Sequence, residues 1–212
     1  MWVFCDLDGT LVDSLGALRS TYRSFLTSRG ATPSDAEFSA LNGPALPEII
    51  ARLKATHRLA ASEAELLAAY QQTLTEVYRT EVGPCAGADR LLAELGRDGH
   101  RLALVTAAPL ATAEAVLVVR GWRARFSVLA CGDEVARAKP APDLYRLALS
   151  RAATTADQAV VLEDSRNGIR AAVAAGLRVI GVHGAPSDEP GEVAVVPDLA
   201  AALTRIRGWA CR

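Results

Sequence analysis

The chain has 212 residues, a length typical of one large domain or of a core with a modest insertion, so a large multi-domain protein is not expected. Half of the residues are hydrophobic and 22% are charged, which supplies a sizeable core and excludes a disordered chain. The formal net charge of −1 leaves no basic excess to neutralise a phosphate backbone, so we expect no nucleic acid partner.

The four cysteines form no Cys-x-x-C pair and the three histidines are scattered, so a structural zinc or haem site is not expected. Asp6 and Asp8 interrupt the apolar stretch that a signal peptide would need. No segment approaches the ~18 consecutive apolar residues of a membrane span. We therefore expect a cytoplasmic protein with reduced thiols and no membrane partner.

Short runs rich in Val, Leu and Ile alternate along most of the chain with segments of helical periodicity. The runs lie at 2–5, 101–106, 128–131, 159–162 and 178–182. Each is followed by a polar or glycine-bearing turn, which is typical of strand–helix units that bury a parallel sheet on both faces. The sequence therefore predicts an α/β fold, and its alanine-rich tail at 190–212 predicts a weakly specified strand and helix.

Residues 15–84 depart from this alternation, because they contain only apolar residues at helical spacing. Ser-x-x-Glu sequences that begin at Ser34 and Ser62 have the spacing of a capping box, and Pro47 suits a first helical turn. We predict a helical insertion after the first strand, ending in a linker with glycine and proline at 83–87.

Four carboxylates are expected at one edge of the predicted sheet, because Asp6 and Asp8 follow the first run while Glu163 and Asp164 follow the fourth. Taken alone, the first pair is equally explained as loop residues that shape a turn around Gly9. If both runs belong to one sheet, like charges ~4 Å apart repel by about 4 kcal/mol at an effective dielectric of 20. A compensating cation is implied, and oxygen ligands without nearby His or Cys favour Mg²⁺.

Two further elements suit a phosphate group. Thr106 and Ala107 follow the second long run at a helix start, where a hydroxyl and successive amides bind anions. Lys139 precedes two prolines that stiffen its loop. Taken singly, such a threonine is more often a simple N-cap and such a lysine is more often solvated. As a set with the four carboxylates, these residues predict a site for a phosphorylated small molecule.

The sequence resembles the haloacid dehalogenase-like hydrolase superfamily in four motifs that occur in order and span essentially the whole chain. They are DLDGT, a threonine after the second long run, lysine before Pro-x-Pro-Asp, and Glu-Asp followed by Ser-x-x-Gly. The helical insertion is similar to the C1 cap of the branch that contains phosphoglycolate phosphatase and β-phosphoglucomutase. The resemblance implies a Rossmann-like catalytic core at 1–14 and 85–212 and a helical cap domain at 15–84.

The resemblance also implies a role for each motif residue. Asp6 matches the nucleophile that forms an aspartyl-phosphate, and Asp8 matches the acid/base that protonates the leaving oxygen and then activates water. Thr106 and the amide of Ala107 match the donors to phosphoryl oxygens. Lys139 matches the cation that neutralises the transferred group.

For the metal, the resemblance implies Mg²⁺ bound by Asp6, the backbone carbonyl of Asp8 and Asp164, with Glu163 either binding the ion or lying behind its ligands. Haloacid dehalogenases lack an aspartate at the position of Asp8, so phosphoryl transfer is favoured over carbon–halogen cleavage. Ala107 departs from the family pattern, which usually has asparagine there, and this weakens any expectation about leaving-group contacts.

The cap loop is expected to contact the substrate through Asn42, Gly43 and Leu46, and polar contacts are open for Arg19, Arg52 and His57. The resemblance implies a phosphatase that hydrolyses a small phosphorylated metabolite, with phosphoglycolate as one candidate. One alternative is a phosphomutase on a phosphosugar, although the cap loop lacks the arginine that the mutase uses there. The other is a non-catalytic binding module on the same fold, against which the intact motif carboxylates argue.

Overall fold

The structure, a computed structural model, describes residues 1–41, 46–186, 188 and 191–210. Its strands are β1 (Trp2–Cys5), β2 (Val12–Asp13), β3 (Gly83–Pro84), β4 (Arg101–Val105), β5 (Phe126–Ala130), β6 (Ala159–Glu163), β7 (Arg178–Gly181) and β8 (Val193–Val195). Its helices are α1 (Leu15–Thr27), α2 (Asp35–Ala40), α3 (Leu46–His57), α4 (Glu63–Thr80), α5 (Ala88–Arg97), α6 (Leu110–Val119), α7 (Asp143–Ala152), α8 (Arg166–Ala174) and α9 (Leu199–Ala210).

A six-stranded parallel sheet has the order β5-β4-β1-β6-β7-β8, which confirms the predicted α/β, Rossmann-like fold. All five predicted runs form strands, although β5 begins at the buried Phe126 rather than at Val128. The tail forms β8 and α9, as expected. Among the described residues, no helix combines the length and the hydrophobicity that crossing a bilayer requires.

Strand β1 lies at the centre of the sheet and is buried along its whole length. Val3 and Cys5 face one hydrophobic cluster, whereas Trp2 and Phe4 face the cluster on the other side. This alternation explains why β1 appears in the sequence as a continuous apolar run rather than as a polar–apolar repeat.

The register of the sheet brings three strand ends level with one another. Cys5, the last residue of β1, lies opposite Leu104 of β4 and Leu162 of β6. Polar residues that follow these positions therefore emerge at the same edge, which is where open α/β sheets bind ligands.

Helices α1 to α4 occupy the interval in which the sequence predicts a helical insertion. Ser62 and Glu65 form the predicted capping box at the start of α4. Ser34 accepts a hydrogen bond from the amide of Glu37 at 3.1 Å, but the carboxylate of Glu37 accepts from the Tyr22 hydroxyl instead of returning to Ser34. The second capping box is therefore only half formed, because a nearby phenol competes for the carboxylate.

The segment predicted as a linker at 83–87 is partly a strand, so that prediction needs correction. β3 pairs antiparallel with β2, with Asp13 opposite Gly83, and the amide of Cys85 donates to the carbonyl of Leu11 at 2.9 Å. The two chain crossings between the sheet and α1 to α4 thus run side by side. Two-residue strands are too short to leave a periodic signal in the sequence.

Helix α4 also contacts the layer that covers the sheet. The hydroxyls of Thr75 on α4 and Thr112 on α6 lie 3.0 Å apart, and Arg120 donates to the carbonyl of Val82 at 2.9 Å. These contacts place the C-terminal half of α4 against the part of the molecule that holds the predicted site.

Candidate active site

Asp6 and Asp8 lie in a tight turn at the carboxyl end of β1. The amide of Asp6 still bonds to β6, at 3.0 Å from the carbonyl of Leu162, and Gly9 then turns the chain with a φ of +77°. A side chain at Gly9 would be strained by that φ and would overlap the carboxylate of Asp164. Glycine is therefore required here both by the turn and by the close approach of the fourth motif.

Lys139 joins the first and fourth motifs. Its Nζ lies 2.7 Å from Asp6 Oδ1 and 2.5 Å from Glu163 Oε1, and it also donates to the carbonyl of Val105 at 3.1 Å. Burial alone would lower the pKa of Lys139, but the carboxylates of Asp6 and Glu163 raise it well above its ordinary value. The side chain is 5% exposed, so the alternative of a solvated lysine is wrong.

Glu163 is fully buried and accepts hydrogen bonds on both carboxylate oxygens. Oε1 accepts from Lys139 and, at 3.1 Å, from the Tyr145 hydroxyl, while Oε2 accepts from the amide and hydroxyl of Ser165. A methyl group at Gly168 would overlap this carboxylate. These contacts favour a role for Glu163 in holding Lys139 and the start of α8.

Asp6, Glu163 and Asp164 each offer one oxygen, and these oxygens lie within 4.8 Å of one another. We call these three residues the acidic trio. Asp164 Oδ1 also accepts from the Thr10 hydroxyl at 3.0 Å. Burial, and then the charge of Glu163, raise the pKa of Asp164 to about 7 and raise the pKa of Asp6 well above its ordinary range.

The acidic trio has the ligand chemistry of a site for a hard divalent cation. Its donors are carboxylate oxygens, which Mg²⁺ prefers, and the single positive charge of Lys139, in contact with Asp6 and Glu163, faces three carboxyl groups. The residues present therefore fit Mg²⁺. Because Glu163 already accepts four hydrogen bonds, Asp6 and Asp164 are the members with capacity for an ion.

The carboxylate of Asp8 lies outside the acidic trio and has different partners. Its Oδ1 accepts a hydrogen bond from the hydroxyl of Tyr78 on α4. Burial raises the pKa of Asp8, and hydrogen bonds from Ser14 and Tyr78 lower it in part. Two carboxylates that are two residues apart thus have separate environments, one beside a cation and one beside hydroxyl groups.

Thr106 is buried at the end of β4, and its hydroxyl accepts from the amide of Ala108 at 3.0 Å. The alternative of a simple helix cap is wrong, since α6 begins only at Leu110, whose amide is capped by Asp133 at 3.0 Å. Ala107 lines the same cavity as Asp6. The anion-binding role of Thr106 and Ala107 stays a prediction.

A cavity of about 680 Å³ opens above these residues and is lined by Asp6, Asp8, Lys139, Asp164 and side chains of the helical insertion. Leu46 is among them, and its contact with substrate stays a prediction. Asn42 and Gly43 lie outside the described residues. The three polar candidates are engaged elsewhere: Arg19 with Asp35 at 3.7 Å, Arg52 with Glu48 at 2.5 Å and His57 with Glu37 at 2.9 Å.

Sequence reasoning missed two tyrosines of the site. Tyr78 lies on the apolar stripe of α4 and Tyr145 lies on the buried face of α7. Their rings satisfy the apolar pattern of each helix, so periodicity gives no sign that their hydroxyls contact Asp8 and Glu163.

Comparison with known proteins gives a match to the family model for haloacid dehalogenase-like hydrolases over residues 3–182. Hexitol phosphatase A from Escherichia coli (strain K12) is 33% identical over 189 residues, which covers 87% of this chain and 83% of that protein. The plasmid-encoded phosphoglycolate phosphatase of Cupriavidus necator is 31% identical over 180 residues, and this match covers 84% of this chain and 78% of that protein.

Among solved structures, CbbY from Rhodobacter sphaeroides in complex with phosphate superposes with a TM-score of 0.82. It is 31% identical to this chain, and the match covers 93% of this chain and 94% of that one. The similarity therefore extends across the parallel sheet and the helical insertion alike.

Proposed function

The chain belongs to the haloacid dehalogenase-like hydrolase family, and on that premise we propose that it is a Mg²⁺-dependent phosphatase. It hydrolyses a phosphate monoester through an aspartyl-phosphate on Asp6. The observation that supports this most directly is the contact of 2.7 Å between Lys139 and Asp6, a member of the acidic trio. Asp8 is bound separately, by the hydroxyl of Tyr78. Nucleophile, neutralising cation and acid/base are then three separate groups around one cavity.

In the first half-reaction, a carboxylate oxygen of Asp6 attacks phosphorus. The new bond from Asp6 to phosphorus forms as the bond to the ester oxygen breaks, and protonated Asp8 gives its proton to the departing alcohol. Lys139 is positioned to offset negative charge on Asp6 and on the transferred phosphoryl group. The raised pKa of Asp8 suits a group that must carry a proton at this stage.

In the second half-reaction, Asp8 is ionised and accepts a proton from water, whose oxygen attacks phosphorus. The bond between phosphorus and Asp6 breaks, inorganic phosphate leaves, and Asp6 returns as a carboxylate. Hydrogen bonds from Tyr78 and Ser14 stabilise the ionised form of Asp8 and fix its direction. Glu163 and Tyr145 keep Lys139 in place throughout.

Asp6 and Asp164 would hold Mg²⁺, which would supply positive charge to offset the buried carboxylates and to polarise the phosphoryl group. The close packing of Gly9 against Asp164 and the hydrogen bond from Thr10 fix the direction of that carboxylate.

The test is phosphate release from p-nitrophenyl phosphate with Mg²⁺ and with EDTA. We expect activity only with Mg²⁺, and Asp6→Asn abolishes turnover because an amide cannot form the acyl phosphate. Asp35→Asn, exposed on α2, is the matched control and keeps full activity. Full activity after exhaustive chelation, or in Asp6→Asn with deamidation excluded, would refute the proposal.

The phosphomutase alternative is tested by a separate assay. A mutase must clamp a second phosphate, yet no cation of the helical insertion lines the cavity within the described residues. We therefore expect net hydrolysis and no conversion of β-glucose 1-phosphate to glucose 6-phosphate when the reaction is primed with glucose 1,6-bisphosphate. Glucose 6-phosphate formation in excess of phosphate release would favour the mutase.

A further inference from the structure

We propose that the alcohol released by this enzyme is apolar, so that the substrate is the phosphate ester of an alkyl or aryl alcohol rather than of a sugar, polyol or hydroxy acid. This inference rests on the proposed phosphatase function, and it concerns only the part of the cavity that faces the catalytic carboxylates.

The described residues of the helical insertion that line the cavity are mostly hydrocarbon, with Leu15 at the start of α1 and the tyrosines Tyr70 and Tyr78 beside them. Six of these side chains carry no polar atom and form what we call the apolar wall: Leu18, Phe38, Leu41, Leu46, Ile49 and Leu74. All but Leu74 are only half-buried, so the wall keeps apolar area in contact with solvent. A concentrated, solvent-accessible apolar surface inside a cavity marks a site for an apolar group.

Within residues 15–41 and 46–84, no cation of the helical insertion lines the cavity, although the guanidinium of Arg19 lies 5.4 Å from the centroid of the Phe38 ring. Arg19 and Arg23 both pair with Asp35, Arg52 pairs with Glu48, and Arg79 pairs with Glu76. Lys54 donates to two backbone carbonyls within the insertion, and His57 contacts Glu37. Within the part of the chain that the structure describes, none of these groups lines the cavity.

The cations on the opposite side of the cavity are also engaged. Lys139 is held by Asp6 and Glu163, and Arg166 pairs with Asp188 at 2.8 Å. A second phosphate or a carboxylate on the leaving group would therefore compete with existing ion pairs on one side and face hydrocarbon on the other. Hydroxyl groups of a sugar would lose water against the wall without gaining hydrogen bonds.

The cavity also has room for more than a phosphoryl group. Its volume of about 680 Å³ falls in the range of sites for organic ligands, roughly 300 to 1,000 Å³. An alcohol of several carbons can extend from the phosphate at Asp6 and Lys139 towards Leu18 and Phe38. A compact acid such as phosphoglycolate leaves most of the wall exposed.

The test is the series ethyl, butyl and hexyl phosphate, assayed by phosphate release. Unbranched primary alcohols of these lengths are nearly equal as leaving groups, so differences in kcat/KM report contact with the hydrocarbon chain. We expect kcat/KM to rise two- to fourfold for each added methylene. We also expect butyl phosphate to exceed glycerol 1-phosphate and phosphoglycolate by more than tenfold.

Substitutions in the apolar wall test whether the wall causes the rise of kcat/KM along the alkyl series. Leu18→Asn places an amide in the apolar wall, and we expect the ratio of kcat/KM values per added methylene to fall from two- to fourfold towards one. Ile49→Asn is a second, independent variant should the first not fold. Val118→Asn is the matched control, because Val118 is 66% exposed on α6 and does not line the cavity. We expect this control to keep the wild-type increase in kcat/KM for each added methylene.

The outcomes separate the two levels of the proposal. Phosphate release from p-nitrophenyl phosphate together with a flat or falling alkyl series, or with a preference for polyol or acidic phosphates, overturns the apolar substrate class and leaves the phosphatase intact. Absence of phosphate release from every ester overturns the phosphatase, and the substrate class falls with it.

Discussion

The hydroxyl of Tyr78, near the C-terminus of α4, donates a hydrogen bond to Oδ1 of Asp8 in the turn after β1. The phenol is 2% exposed, so the bond is shielded from water. It connects the helical insertion directly with the proposed acid/base, and the contact of Thr75 with Thr112 one turn earlier holds α4 against α6. The direction of the Asp8 carboxylate therefore depends on where α4 lies.

Removal of this hydroxyl in Tyr78→Phe is expected to lower kcat for an alkyl phosphate about tenfold, because a hydrogen bond to a charged group contributes about 1.5–3 kcal/mol. The phosphorylation step of p-nitrophenyl phosphate should change less, since its leaving group needs no proton. Stopped-flow measurement of p-nitrophenol release, beside steady-state assays of butyl phosphate, gives both values.

Tyr22→Phe is the matched control for this prediction. It removes another bond between a tyrosine and a carboxylate, to Glu37, but outside the cavity. It should lower stability without changing the ratio of rates for the two esters. Equal losses on both esters in Tyr78→Phe would mean that Tyr78 acts only through the fold.

Lys139→Met is expected to reduce activity at least 100-fold and to destabilise the metal-free protein by about 3 kcal/mol at pH 7.5. The reason is that it leaves the buried carboxylates of Asp6 and Glu163 without their cation. The loss of stability should be smaller at pH 5.5, because Asp6, whose pKa burial raises, then takes up a proton.

The measurement is urea unfolding in EDTA at both pH values. Lys54→Met is the control, since Lys54 donates to two backbone carbonyls of the helical insertion and lies outside the cavity. A loss in Lys139→Met that is independent of pH would show that packing, rather than charge, accounts for the effect.

Gly9→Ala is expected to lower activity about 100-fold, because the new methyl group displaces the carboxylate of Asp164. Gly30→Ala is a close control: Gly30 has a similar φ of +72°, but no atom lies within 4 Å of an added Cβ. Both variants should lose about 1–2 kcal/mol through backbone strain. In kinetic assays at several Mg²⁺ concentrations, only Gly9→Ala should need more Mg²⁺ than the wild type for half-maximal activity; equal behaviour of the two variants would contradict the prediction.

The fold was predictable because each strand of the buried parallel sheet is a continuous apolar run. The same logic located the site, since Asp6 directly follows β1 and Asp164 directly follows Glu163 at the end of β6, and the two strands pair in register. The sequence could not predict the role of a side chain that is mostly apolar but carries one polar atom, such as tyrosine. Tyr78 and Tyr145 fit their helices as core residues, and only the tertiary arrangement brings their hydroxyls to a carboxylate.

Glu163 shows a second limit of sequence reasoning. The sequence left open whether Glu163, beside the metal ligand Asp164, binds the ion or lies behind its ligands, because adjacent carboxylates carry no information on which one points inward. The structure surrounds Glu163 with donors from Lys139, Tyr145 and Ser165, whereas the donor to Asp164 among the side chains of the described residues is the hydroxyl of Thr10.

The last prediction concerns the pH dependence of stability. Burial and the charge of Glu163 raise the pKa of Asp164 to about 7 in the folded protein, well above its value in the unfolded chain. Between about pH 4 and pH 7 the folded state therefore holds a proton that the unfolded state has lost, so the free energy of unfolding in EDTA should fall as pH rises through this window. Above pH 7 Asp164 is ionised in both the folded and the unfolded state. Its proton then no longer contributes to stability, and the free energy of unfolding no longer changes with pH because of Asp164.

Mg²⁺ binds the ionised carboxylate, so its stabilising effect should change in the opposite direction. The difference in Tm between Mg²⁺ and EDTA should be larger at pH 8 than at pH 5.5. Asp164→Asn should remove most of this difference, while Asp157→Asn, exposed beside β6, should preserve it. Differential scanning calorimetry across the range measures both effects. A Tm difference that does not change with pH would show that Asp164 does not bind Mg²⁺, because a proton and Mg²⁺ compete for any carboxylate that binds the ion.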